Sequence, residues 1–315
     1  NELDVIKNKT HKTGGKKMLT MNEFKEAVTK DFKRFLDESF KDKEMVMYPL
    51  YKMNIAKTAI SFKSSHEEMS IMPVVYLEDM YQFYKDTGNL NYTFAQFACT
   101  VQTKFFKNLH FSDWITAEYI YEHVYIQLVG NERNADFLKD HVHINFMDLS
   151  VIFRIALPAE DGYNSSYLLR QTHMDYLQLD MDYLRQKAIQ NYEHFFGMSQ
   201  LVNILDIIPK KLLSTLPGKM PLEFYVLTTQ KKLFGASIIY AFPETLARIS
   251  SELDDDLYIL PSSIHEVLIL KASERRDVEG LREIVCSVNE ESLPVDEILS
   301  DSVYYYSRKS GLQLL

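Results

Sequence analysis

One segment, Asp256–Leu270 (D-L-Y-I-L-P-S-S-I-H-E-V-L-I-L), constrains the fold of this chain more than any other. Two unbroken apolar runs, Leu257–Leu260 and Val267–Leu270, flank a tight polar turn of Pro261, Ser262 and Ser263. Short apolar runs rich in Ile, Leu, Val and Tyr, separated by turn residues, predict two strands paired as a hairpin. Neither run alternates polar with apolar, so both faces of each strand are expected to be covered. The hairpin therefore belongs in the middle of a sheet and not at its edge.

The pattern around the hairpin extends this reading. Ala236–Tyr240 is strand-like, Pro243–Leu253 reads as a helix with proline in its first turn, and strands at Leu257–Leu260 and His265–Leu270 follow. Val278–Asn289 then reads as a helix and Val303–Ser307 as a closing strand. That order, β-α-β-β-α-β, is the ferredoxin-like sequence of elements. Upstream, Val124–Val129, Tyr167–Gln171 and Glu223–Thr228 read as strands, and His143–Leu157 as a long stretch of β character. Met181–Phe196 is a helix by its stripe of Leu184, Ala188, Tyr192 and Phe195, stopped by Gly197. Leu201–Leu213 reads as helix-like as far as Pro209.

The amino-terminal third is organised differently. T-M-N-E at Thr20–Glu23 is a capping box, and Phe24, Val28, Phe32, Phe35 and Leu36 recur at helical spacing, which predicts a helix over Met21–Phe40. Strands are expected at Met45–Tyr51, Ala59–Lys63 and Met72–Tyr76, and helices at Leu77–Lys85, Thr93–Leu109 and Ser112–His123, with Ser112 and Asp113 as caps for the last. The chain is thus expected to be α+β, with a disordered basic tail over 1–19, a helix-rich N-terminal unit over 20–123 and a C-terminal mixed-sheet unit over 124–315.

Composition narrows the function classes. A chain of 315 residues buries enough apolar surface to need no metal or disulfide to fold. With 20 Tyr and 19 Phe against only 10 Gly and 9 Pro, regular structure with short connections is expected. A net charge of −9 repels nucleic-acid backbones and anionic membranes outside a local basic patch. The basic cluster read here is Lys7–Lys17, in the tail. Nucleic acid is therefore not the expected partner, and no stretch approaches the ~18 apolar residues of a membrane span. Cys99 and Cys286 are expected as buried free thiols, and no signal peptide is visible, which points to the cytoplasm.

No Walker A loop, G-x-G-x-x-G, G-x-S-x-G or H-E-x-x-H motif occurs, so the common nucleotide, dinucleotide, serine-hydrolase and zincin readings fall away. Two weaker constellations remain. In the first, His265 stands beside Ser262 and Ser263, a nucleophile–base pair in outline, with Glu266 next to it. Serines in a tight turn more commonly bond its backbone, and adjacent residues on a strand face opposite sides, so His265 is expected to be structural. In the second, His141 and His143 would share one face of a strand, as metal ligands do, with Asp140 and Asp148 nearby. Two imidazoles half fill a zinc site, so no metal and no cofactor are expected. Asp254–Asp256 reads as a solvated loop, and Tyr304–Tyr306 as a strand with at least one tyrosine in the core. Gly235 at a strand entrance marks a bulge or a close backbone approach.

Five segments carry a resemblance. They are M-N-E-F-K-E from Met21, F-M-D-L-S-V-I-F at Phe146–Phe153, V-L-T-T-Q-K-K-L-F-G-A-S at Val226–Ser237, the Asp256–Leu270 hairpin, and V-N-E-E-S-L-P-V-D-E-I-L-S-D-S-V-Y-Y-Y. Through them the chain, from Met21 to its C terminus, resembles an uncharacterised domain family of Gram-positive gut anaerobes. Its second half is similar to a wider uncharacterised Gram-positive family. The resemblance implies no reaction. The expected function is a non-enzymatic binding or accessory module acting on another protein. The alternatives are a hydrolase or metal-dependent enzyme centred on Ser262, Ser263, His265 and Glu266, and a nucleic-acid or phage-related protein using the basic tail.

Overall fold

The computed structural model describes residues 18–63, 74–106, 114–158, 166–207, 224–274 and 277–315. The chain is α+β and divides into two units, 1–50 with 56–109 and 51–55 with 110–315. The expected tail lies outside the described residues apart from its last two positions.

In the first unit the capping box forms. Thr20 Oγ1 accepts from the Glu23 amide while the Glu23 carboxylate accepts from the Thr20 amide, starting α1 (Met21–Asp31). The predicted helix to Phe40 is corrected: the chain leaves the α-helix after Asp31 and continues as 3-10 turns at Phe32–Phe35 and Glu38–Phe40. Asp37 accepts from the Ser39 amide, a local bond that competes with helix continuation. The tightened path still buries Phe32 and Phe40 with Phe24 and Val28. A sheet of β1 (Glu44–Lys52), β2 (Ile55–Lys63) and β3 (Val75–Tyr76), and helices α2 (Leu77–Thr87) and α3 (Leu90–Phe106), complete this core. On α3 the buried stripe is Phe94, Ala98 and Val101. Cys99 falls off it and is exposed, contrary to expectation.

The second unit begins with α4 (Ala117–His123), capped by Thr116; the expected caps Ser112 and Asp113 lie outside the described residues. A small antiparallel sheet follows, made of β4 (Val124–Gly130), β5 (His143–Phe146), β6 (Leu149–Ala156) and β7 (Ser166–Leu168), with α5 (Ala135–Leu138) between β4 and β5. The expected single stretch His143–Leu157 is therefore two strands, folded at Met147, whose left-handed backbone (φ 57°) makes the turn. After α6 (Gln171–Leu177) and α7 (Met181–Phe196), the segment read as helix from Leu201 opens instead as β8 (Ser199–Asn203), with only a short α8 (Ile204–Ile207) after it. β8 pairs in register with β9 (Tyr225–Thr229), and that pairing outweighs local propensity.

The ferredoxin-like order does not occur. Ala236–Tyr240 is not a strand but a 3-10 turn, Gly235–Ser237, running into α9 (Ile238–Ala241) and then α10 (Pro243–Leu253). Apolar residues buried all round, such as Ile238 and Ile239, carry no period that separates strand from helix. The six-stranded antiparallel sheet runs β13-β12-β10-β11-β9-β8, with β10 (Leu257–Leu260), β11 (Val267–Lys271), β12 (Tyr304–Ser307) and β13 (Gly311–Leu314). The β10–β11 hairpin sits inside it. Leu257, Ile259, Val267 and Ile269 enter the main core, while Tyr258, Leu260 and Leu270 pack with Leu281 and Val285 of α11 (Val278–Glu291) on the opposite side. That double covering is why both runs are apolar without a break.

Candidate functional site

The β10–β11 connection spans Pro261–Glu266, longer than the expected three-residue turn. His265 and Glu266 therefore precede β11 rather than lying on it. Ser262, Ser263 and Ile264 are buried, His265 is half-buried and Glu266 is exposed. Two neighbouring segments stitch this turn in place. On one side, the Ser300 and Leu299 amides donate to the carbonyls of Pro261 and Ser262 (3.1 and 2.8 Å), and the Ile264 amide donates to Glu297 O (2.9 Å). On the other, the Gly235 amide and the Thr228 hydroxyl donate to His265 O (2.9 and 2.8 Å), and the Ala236 amide donates to Ile264 O (3.3 Å).

The side chains are committed as well. Ser263 Oγ accepts from the His265 amide at 3.1 Å, and His265 Nδ1 accepts from the Phe234 amide at 3.2 Å. An Nδ1 that accepts from an N–H carries no proton, so the neutral ring is protonated at Nε2. Nε2 lies 3.8 Å from Glu297 Oε1. Lys232 and Phe234 adopt left-handed backbone (φ 55° for both), which brings the 234–236 amides onto the turn. Gly235 is required there, because a Cβ would stand 2.5 Å from His265 O and 2.6 Å from Thr228 Cα. The expected close backbone approach is real, although Gly235 opens a helical turn and not a strand.

His141 and His143 do share the outer face of β5 and its approach, but their rings are turned to the backbone. His141 Nδ1 lies 2.7 Å from Phe137 O with its ring stacked on Phe137, and His143 Nδ1 lies 2.9 Å from His141 O. Burial, more than any other cause, holds His141 below the ordinary imidazole range. Among the described residues, no group of three His, Cys, Asp or Glu gathers as a metal site would. Asp148 is turned elsewhere: its carboxylate accepts from Ser300 Oγ at 2.6 Å and from the Tyr304 hydroxyl. The acidic run is a loop in which Asp255 accepts from Ser273 and Asp256 from Tyr305. Tyr304 is fully buried, as one tyrosine of its run was expected to be. Cys286 is half-buried, not buried as expected, and burial followed by the charge of Asp301 pushes its thiol up.

The face of the small sheet that carries His141 and His143 also bears two arginines that the sequence reading passed over. Register pairs Arg154 with Leu168, His143 with Ile152 and His141 with Arg170. The alternate residues Val142, Val151, Phe153, Ile155 and Leu169 enter the main core, so Arg154, Arg170 and the two histidines share the other face. Arg154 donates from Nε to Ser166 Oγ (3.0 Å) and from Nη1 to Gln127 Oε1 (3.2 Å), both uncharged. The available signal was the alternation Ser150, Ile152, Arg154 inside an otherwise apolar run.

Residues 21–308 match the model of a family described only as a family of unknown function, DUF5688. No curated protein and no solved structure matches the chain.

Proposed function

The chain belongs to this family of unknown function, and from that premise we propose that it is a non-enzymatic binding module acting through contact with another protein. The observation that carries the reading is the commitment of the His265 turn to backbone. Ser263 Oγ and His265 Nδ1 both accept from main-chain amides, and among the described residues no serine oxygen is bonded to the imidazole. A nucleophile must be within hydrogen-bond reach of its base, with a third group orienting that base. The Glu297 carboxylate lies 3.8 Å from Nε2, and among the described residues the half-relay it makes has no bonded nucleophile. That half-relay is what supports the competing hydrolase reading. The finer placement, in the cytoplasm of a Gram-positive gut anaerobe, is supported by the segment resemblances.

A fluorophosphonate probe tests the reading directly. With intact protein it should leave Ser262 and Ser263 unmodified by peptide mass spectrometry. A stoichiometric protein complex isolated from the native host should persist in a His265→Gln variant. Covalent labelling of either serine that disappears in His265→Ala would replace the binding module with the enzyme.

A further inference from the structure

We propose that Arg154 and Arg170, on the face of the four-stranded sheet that also carries the Ile152–Phe137 cluster, form a binding site for a small oxyanion, a phosphoryl or carboxylate group. The first support is charge left without a counterion. Arg34, Arg133, Arg248, Arg282 and Arg308 each have a carboxylate within 4.0 Å. Neither Arg154 nor Arg170 has one among the described residues, in a chain whose net charge is −9. The exposed Arg185 on α7 also lacks one among the described residues, so it is the sharing of a face that sets Arg154 and Arg170 apart. Two such cations on one face leave a local positive field in a negative protein.

The second support is orientation. Arg154 stands half-buried on the central strand β6, and its two neutral acceptors hold Nε and Nη1 in place without neutralising the guanidinium. Gln127, one of those acceptors, is itself fully buried, and its amide donates toward Met53 Sδ at 2.9 Å, so the anchor does not swing. A guanidinium fixed along one edge still presents its remaining N–H groups, in the fork geometry that two oxygens of a phosphate or carboxylate match. Arg170 is exposed beside the bridge to His141, on the same face, and supplies the second charge.

Burial acts first on both His141 and His173, lowering their proton affinity, and Arg170 lowers it further in each. Arg154 adds to the effect at His141, and the exposed Asp140 opposes it. The site is therefore built from permanent cations and does not depend on a protonated histidine. It is independent of the binding-module reading, because it is argued from a different face.

Arginine Nε–H signals, followed by NMR in low-salt buffer, give the test, with inorganic phosphate titrated in one arm and acetate in the other. Arg154 and Arg170 should shift together and saturate. Arg185, exposed on α7 and without an ion partner among the described residues, is the control and should drift linearly. Saturation by phosphate alone identifies a phosphoryl site, and saturation by both ions a general oxyanion site. Arg154→Gln should weaken binding at least tenfold, and Arg154→Lys less. Should Arg154→Gln unfold, the exposed Arg170→Gln carries the same test with at least a threefold loss. Shifts at Arg154 no larger than at Arg185, or affinity unchanged in a folded Arg→Gln variant, would overturn the proposal.

Discussion

Individual residues in this protein act mostly by holding backbone to backbone. Gly235 is the sharpest case, because main-chain atoms close it in on two sides and cannot step aside as a flexible side chain could. Gly235→Ala should cost about 1–3 kcal/mol, as overpacking does. Urea unfolding would measure it, and a loss under about 0.5 kcal/mol, the size of a neutral surface change, would mean that the turn yields. The need for glycine here was legible in sequence, but its partners were not, since His265 and Thr228 reach it only through folding. His141 makes a second residue-scale claim. Its proton affinity is lower in the fold than the ordinary value of 6.5, so below that pH the unfolded chain binds more protons than the folded one. The stability it contributes is complete above about pH 6.5 and drains as pH falls toward the lowered folded value. Urea midpoints taken from pH 7.5 down to 5.5 should fall less steeply for His141→Gln than for the wild type, and equal slopes would remove His141 from the acid response.

Among the elements, the ones read correctly are those whose burial is one-sided and regular, or two-sided and uninterrupted. The helix Met181–Phe196 shows its Gly197 stop and forms with the bounds read, although its buried stripe ends on Phe196 and not on Phe195. The hairpin Leu257–Leu270 announces its interior place by the unbroken apolarity of its two runs, and β10 does pair on both edges, with β11 and β12. Ile259 is fully buried there. Ile259→Ala should cost about 2–5 kcal/mol through lost contacts and the cavity left behind, whereas a loss below about 1 kcal/mol in denaturant unfolding would contradict an interior strand. The misread elements share a physical cause. Gly235–Ala241 and Ser199–Asn203 are short, and short segments take their conformation from neighbours: the first from the backbone of the His265 turn, the second from pairing with β9. β13 escaped notice because four residues of weak alternation after a polar turn resemble a tail until the register with β12 is known.

At the scale of the second unit, polar contacts couple segments that sequence patterns keep apart. Asp148, at the turn between β5 and β6, accepts from Ser300 and from Tyr304, so one carboxylate joins the small sheet to the large one across 152 and 156 residues of chain. Burial, then the Asp148 charge, pushes the Tyr304 hydroxyl up, which keeps it a donor at any ordinary pH. Nothing local in F-M-D-L-S or V-Y-Y-Y foretells this meeting, and the sequence reading noted Asp148 only for lying near His141 and His143, where it expected no metal. Arg154 and Arg170 are far closer in sequence, yet they come to one face only when β7 adds to β6. If the carboxylate is a true junction, its two ends must be energetically coupled. Tyr304→Phe should cost about 1.5–3 kcal/mol, the range for hydrogen bonds to charged groups. Asp148→Asn should destabilise as well, and the double variant should lose less than the sum of the two, by about 0.5–3 kcal/mol. Additivity within about 0.3 kcal/mol would instead describe independent sites, and the two sheets would then be held together by the apolar core alone.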